Sequence, residues 1–164
     1  MTKTEKNLQD AFAGESQANR KYLAFASKAE EEGFKQIAKL FRAAAEAETV
    51  HAHNHLRELK GVNSTRENLA AAISGEIHEF ESMYPRMIAD AETEGIKGAL
   101  RSFQYANAVE KIHADLYQKA LDLIGKNQAA DYYVCQICGY TVENGAPDEC
   151  PICKAAKKMF KKMD

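Results

Sequence analysis

Four long amphipathic segments of this chain each carry acid in the middle of an otherwise apolar face. At helical spacings of three and four residues, these faces consist mainly of Leu, Ile, Phe, Met and Ala. The acids that interrupt them are Glu15, Glu48, Glu76, Glu79 and Glu110. Neither Lys nor Arg lies on these faces to neutralise the acids. Because an unpaired buried carboxylate is costly, the pattern predicts a core that binds two divalent or trivalent cations.

Two of the acids belong to Glu-x-x-His motifs, which run from Glu48 to His51 and from Glu110 to His113. Side chains three positions apart share one helix face, so both members of each motif can reach one metal centre. A single glutamate precedes each motif, by 33 positions in one half and by 34 in the other. This is the ligand pattern of dinuclear carboxylate bundles. The ligands predicted from it are Glu15, Glu48, His51, Glu76, Glu110 and His113.

Glu79 is one acid more than this symmetric set requires. It lies one helical turn beyond Glu76 and on the same face. One interpretation is a seventh ligand that makes the centre asymmetric. The alternative is a solvated acid at the edge of the bundle.

Glycines and a capping motif divide this part of the chain into four predicted helices, near 4–31, 35–60, 65–93 and 97–124. A glycine follows each segment, as is common at helix ends, and Ser64 to Glu67 fits a capping box at the start of the third. Pro85 lacks a backbone N–H, so we expect a kink or bulge in the third helix. Long helices with short connections predict an all-α four-helix bundle over residues 1–126, either antiparallel or with a crossover.

All four cysteines of the chain lie in its last 30 residues, as two C-x2-C pairs separated by eleven residues. Paired thiolates of this kind can hold one tetrahedral ion, either iron or zinc, and spacing alone does not decide between them. Two disulfides are the alternative, which a reducing compartment disfavours. A segment as short as 131–164 rarely folds without such a staple. We therefore predict a linker at 127–130 and a metal site made by Cys135, Cys138, Cys150 and Cys153.

The overall composition excludes several other classes of protein. The 164 residues are 45% apolar with a net charge of −2, as is typical of a globular chain and not of a polybasic nucleic-acid binder. The apolar runs are far shorter than the roughly 20 residues of a membrane span, and the N-terminus does not look like a signal peptide. Five lysines near the C-terminus are balanced by five acids of the same tail, which favours a solvated face. We expect a cytoplasmic protein that binds neither membrane nor nucleic acid.

Taken together, these motifs resemble the rubrerythrin family over nearly the whole chain. The resemblance rests on the two C-x2-C pairs and on Gly14-Glu15-Ser16, Glu48-Thr49-Val50-His51, Glu76-Ile77-His78-Glu79, Met83-Tyr84-Pro85 and Glu110-Lys111-Ile112-His113. It implies a ferritin-like di-iron domain followed by a small rubredoxin-like β/loop domain. It also implies reduction of hydrogen peroxide to water in oxidative-stress defence. Further implications are a homodimer or larger homo-oligomer, with the tail of one subunit near the di-iron centre of another, and electrons from NAD(P)H through a separate reductase or rubredoxin.

The resemblance also implies a role for each candidate residue. Glu48 and Glu110 would bridge the two irons, Glu15 would bind one of them, and Glu76 with His113 would bind the other. Glu79 and His51 would exchange as ligands of one iron on reduction, which makes them the catalytic pair. The four cysteines would hold a single electron-transfer iron, for which zinc is a substitute. One departure from the family pattern is Lys154, which stands where rubredoxin-like sites prefer a small residue.

Two other functions stay open from the residues themselves. Ferritin-like bundles also oxidise and store iron, although a storage protein has less need of an electron-delivery tail. A zinc ribbon in the tail would instead favour a redox sensor.

Overall fold

The computed structural model describes residues 1–164 and contains five α-helices, one π-helical turn, a short 3-10 helix (Lys157–Met159) and three short strands. None of the helices combines the length with the apolar character that crossing a membrane requires. The four predicted helices are confirmed, and the third is divided in two by the π turn. The helical elements are α1 (Lys3–Glu31), α2 (Lys35–Glu58), α3 (Thr65–His78), the π turn (Glu79–Met83), α4 (Tyr84–Glu94) and α5 (Lys97–Asp122).

The chain folds as two compact units, Met1–Asn63 and Ser64–Asp164. The boundary between these units, after Asn63, is not the domain boundary predicted at the linker 127–130. That linker lies between the end of α5 and the first strand and stays a prediction. The first unit is the hairpin of α1 and α2, which is closed by Gly33 in the left-handed region at φ 85°. Small buried side chains such as Ala26 and Ala45 let helices pack closely. Asn19 crosslinks the hairpin, because its Nδ2 donates to the Ala45 carbonyl at 2.7 Å.

The second unit joins the remaining helices to the cysteine-containing tail. The α3 helix begins at the predicted capping box, in which Ser64 Oγ accepts from the Glu67 amide. The tail forms an antiparallel sheet in the order β2-β1-β3. Its strands are β1 (Tyr132–Cys135), β2 (Thr141–Glu143) and β3 (Phe160–Lys162). Cys135 and Cys150 are its fully buried side chains, so the core of the tail is the candidate metal site itself.

The bulge expected near Pro85 is confirmed as the π turn directly before it. The Tyr84 amide donates to the carbonyl of Glu79, which is five residues back instead of four. Pro85 has no N–H and lies in the first turn of α4, directly after the π turn, so the bulge accommodates the missing donor. The wider turn begins at Glu79 and changes the face on which the residues after it lie.

The two cysteine loops of the tail have the same backbone geometry. In each, the residue after the second cysteine donates its amide to the carbonyl of the first. The amide of the first cysteine donates to the carbonyl of the residue two positions after the second cysteine. These hydrogen bonds are Gly139 to Cys135 at 2.9 Å, Lys154 to Cys150 at 3.0 Å, Cys135 to Tyr140 at 2.9 Å and Cys150 to Ala155 at 2.8 Å. The loops therefore present their thiols in equivalent orientations.

Lys154 adopts the left-handed backbone that its counterpart Gly139 adopts, with φ 63° against 84°. The Ala155 amide bonds to the sulfur of Cys153, as the Tyr140 amide bonds to that of Cys138. The absence of glycine at 154 thus removes no amide hydrogen bond to sulfur. Its consequence is backbone strain, which for a residue with a Cβ is on the order of 1 kcal/mol.

Replacing Lys154 by glycine should therefore stabilise the tail by about 1 kcal/mol. The measurement is a guanidinium titration of cobalt-substituted protein, in which the loss of thiolate-to-metal absorbance reports unfolding of the tail. Gly139→Ala should shift the midpoint in the opposite direction, because its φ is also positive and a Cβ there meets only Val109 at an ordinary 3.8 Å.

Glu149→Ala is the matched control for this experiment. It removes the exposed 3.5 Å ion pair between Glu149 and Lys154 and keeps the lysine backbone. Such a pair contributes little, so its loss should leave the midpoint nearly unchanged. A midpoint that falls in Lys154→Gly would show that the positive φ carries no strain.

Candidate metal centres

The four cysteines converge on one point in the tail. All are free thiols, and their sulfurs lie within 4.8 Å of one another. The Sγ atoms of Cys135 and Cys153 are 3.6 Å apart, as are those of Cys138 and Cys150. A tetrahedral ion with metal–sulfur bonds of about 2.3 Å would separate its ligands by about 3.8 Å, whereas a disulfide needs about 2.05 Å. The group therefore fits a single metal ion and not two disulfides.

Burial acts on the protonation of these thiols. It raises the pKa of Cys138 and of Cys153. Burial also opposes ionisation of Cys135, but its pKa is lowered because the amides of Ile137 and Cys138 donate to its sulfur. A metal ion that binds here has to displace thiol protons, so its binding strengthens as the pH rises.

The helical hairpin of the first unit brings together Glu15, Glu48 and His51. The His51 Nδ1 atom lies 2.9 Å from Glu48 Oε2 and 3.9 Å from Glu15 Oε1. The helical spacing of three places Glu48 beside His51, and the packing of α1 against α2 supplies Glu15. The His51 side chain is 53% exposed, so this group lies at the surface of its unit.

The second unit repeats this arrangement with Glu76, Glu110 and His113. The His113 Nδ1 atom lies 2.9 Å from Glu110 Oε2 and 3.8 Å from Glu76 Oε2, nearly the same distances as in the hairpin. This group is more enclosed, since the His113 side chain is only 28% exposed. Each triad offers carboxylate oxygen and imidazole nitrogen, which suit iron or manganese and fit the metal pair that the acids require.

Burial and neighbouring negative charge raise the pKa of two groups in the second unit. Burial raises the pKa of Glu76, and the charge of Glu110 raises it further, while His113 opposes both effects. The pKa of the Tyr84 phenol is raised by burial and then by the charges of Glu110, Glu79 and Glu76. A metal cation would relieve this excess of negative charge.

Two residues outside the triad, Glu79 and Tyr84, interact electrostatically with the acids of this unit. Glu79 is not among the three residues whose ligand atoms cluster, although its charge acts on Tyr84 together with theirs. The sequence motifs assigned no role to Tyr84. The signal in the sequence was Pro85, because the bulge that it predicts changes the face on which the residues after Glu79, Tyr84 among them, lie.

The tail also contacts the second triad within one chain. His113 Nε2 lies 3.0 Å from the hydroxyl of Thr141 on β2. This contact joins the tail to its own α5, and the expected position of the tail near the di-iron centre of another subunit stays a prediction.

Comparison with known proteins assigns both parts of the chain. A family model described as Rubrerythrin matches residues 6–121, and one described as Rubrerythrin, rubredoxin-like domain matches residues 133–161. The chain is 36% identical to Rubrerythrin-2 of Clostridium acetobutylicum, over 93% of this chain and 92% of that protein. It is also 36% identical to the Rubrerythrin of Porphyromonas gingivalis, over 99% of this chain and 90% of that protein.

A solved structure leads to the same family. The mixed-valence state of nigerythrin matches with a TM-score of 0.60 and 35% identity, over 99% of this chain and 88% of that one. The predicted fold class is thereby confirmed as a ferritin-like helical domain followed by a rubredoxin-like domain. That assignment implies a di-iron centre and an iron site with four cysteine ligands, and the family consists of oxidoreductases. The motifs, the clusters and the comparisons agree that this chain belongs to the rubrerythrin family.

Proposed function

We propose that this protein is a non-haem di-iron peroxidase that reduces hydrogen peroxide to water as a defence against oxidative stress. The observation that carries the proposal is the division of donor atoms along one chain. Carboxylate and imidazole groups cluster on the helices, and four thiols cluster in the tail. Hard oxygen and nitrogen donors suit ions that bind oxygen species, whereas four thiolates suit an ion that only relays electrons.

In this proposal the two triads together hold the iron pair. Glu15, Glu48 and His51 come from the hairpin, and Glu76, Glu110 and His113 come from the second unit, with Glu79 as the ligand that exchanges with His51. When bound, two ferrous ions supply the two electrons that convert one peroxide and two protons to two water molecules. The residues fix the spacing of the ions and neutralise their charge. Repeated turnover requires electrons to arrive one at a time through the iron held by the cysteines.

The source of those electrons lies outside the chain in our proposal. An external donor, either a rubredoxin or an NAD(P)H-dependent reductase, delivers them to the iron at the cysteines. We also propose a homodimer or larger homo-oligomer as the working form. Because the thiols of the tail must stay reduced to bind metal, we place the protein in the cytoplasm.

Anaerobic reduction of peroxide by the reconstituted full chain tests this function. We expect three irons per chain, an intense red colour from the ferric thiolate site, and rapid oxidation of the ferrous protein by one equivalent of peroxide per iron pair. The measurements are metal analysis, stopped-flow absorbance and gel filtration. Zinc in the tail of native protein would exclude the electron relay, and a large hollow shell that accumulates iron would indicate storage instead.

The exchange role of Glu79 is tested by its removal. Glu79→Ala should slow oxidation of the ferrous protein by peroxide about 10- to 100-fold, because one iron loses the ligand of its oxidised state. The spectrum of the oxidised iron pair should change as well. Glu81→Ala is the matched control, since Glu81 lies on the same π turn but is exposed. An unchanged rate and spectrum in Glu79→Ala would show that no ligand exchange occurs there.

A further inference from the structure

We propose that Thr141, in the rubredoxin-like tail, is a positioning residue that holds the proton of His113 on Nε2 and so directs Nδ1 toward the metal-binding carboxylates. The inference rests on the proposed function only in taking Glu76, Glu110 and His113 as ligands. It adds that one strand of the tail prepares one half of the carboxylate centre and leaves the other half unprepared.

The hydrogen bonds of the Thr141 hydroxyl determine the direction of donation. Its Oγ1 lies 3.0 Å from the carbonyl oxygen of Gly139 and 3.0 Å from Nε2 of His113. A carbonyl oxygen can only accept, so the single hydroxyl proton is donated to Gly139. The hydroxyl must then accept from His113, which requires a proton on Nε2.

The other ring nitrogen of His113 is consequently left with its lone pair in the neutral imidazole. This nitrogen, Nδ1, lies 2.9 Å from Glu110 Oε2 and 3.8 Å from Glu76 Oε2. A lone pair and carboxylate oxygens are all acceptors, so a cation bound between them would stabilise the group. Thr141 therefore orients the imidazole as a nitrogen ligand for a metal that the two carboxylates share.

His51 in the first unit lacks such a restraint. Its Nδ1 makes contacts of 2.9 Å and 3.9 Å that match those of His113. No protein group forms a hydrogen bond with its Nε2, and its side chain is 53% exposed against 28% for His113. The two otherwise equivalent histidines thus differ in their second ring nitrogen, and His51 is the one free to leave and return as a ligand.

Packing of the tail against α5 holds Thr141 in place. Lys119 of α5 forms an ion pair with Glu143, two residues beyond Thr141. On the other side, a Cβ on Gly139 would lie 3.8 Å from Val109, a buried residue of α5. The loop that carries Cys138 and Gly139 is therefore seated on the same helix as His113. The chain of bonds from Cys138 through Gly139 and Thr141 ends at that histidine.

The test compares Thr141→Val with Thr141→Ser in the full chain with zinc, which is diamagnetic, bound at the cysteines only, so that no metal on Nδ1 fixes the protonation of His113; zinc is then added to the carboxylate centre in a second step. Long-range proton–nitrogen NMR spectra report which ring nitrogen of His113 carries the proton. We expect a protected Nε2–H in the wild type and in Thr141→Ser, and at least tenfold faster exchange of this proton in Thr141→Val. The affinity of the carboxylate centre for zinc should fall about 10- to 100-fold in Thr141→Val and recover in Thr141→Ser.

Glu143→Gln is the control that separates docking from hydrogen bonding. It breaks the ion pair with Lys119 and retains the hydroxyl, so the protected Nε2–H should persist. A wild-type proton on Nδ1, or a signal unchanged in Thr141→Val, would overturn the inference whatever the fold of any variant. Neither readout uses peroxide, so a failed peroxidase assay would not affect this result. Failure of this test would likewise leave the proposed peroxidase function untouched.

Discussion

The structure depends on one electrostatic constraint, which is the gathering of carboxylates on helix faces without Lys or Arg to neutralise them. Each unit holds two glutamates and one histidine whose ligand atoms lie within 4.8 Å of one another. In the second unit, burial and the charge of Glu110 raise the pKa of Glu76, so a cation would stabilise that group. Stability and function are therefore linked, because the ions that neutralise these acids are also the ions that carry out redox chemistry.

The sequence predicts the parts of the protein in which the chemical demand is local. Glu48 and His51 share a face because they are three residues apart on one helix, and Cys135 and Cys138 converge because one tight loop joins them. Pro85 predicts a bulge, since a missing N–H has to be accommodated within a few residues. In each case a short-range rule is enough to place the side chains.

Other features depend on tertiary packing and leave little local trace. The contact between His113 and Thr141 joins residues 28 positions apart, in two elements of different kinds. The division of the chain after Asn63 likewise follows the pattern of contacts and not a change in composition. Lys154 stands where the equivalent loop has Gly139, yet its backbone adopts the left-handed conformation of that glycine. This conformation depends on the whole metal loop and not on the type of residue.

The cysteine core of the tail has a consequence for the order in which the protein matures. Cys135 and Cys150 are the fully buried side chains of that segment, and so small a segment rarely folds without a metal, so we expect the tail to fold as its own ion binds. Thr141 is presented to His113 by a strand of that body. In our proposal for Thr141, metal capture by the thiols would therefore precede the completion of the carboxylate site in the second unit. In the proposed peroxidase, a newly made chain would acquire the site that receives electrons before the centre that passes them to an oxidant.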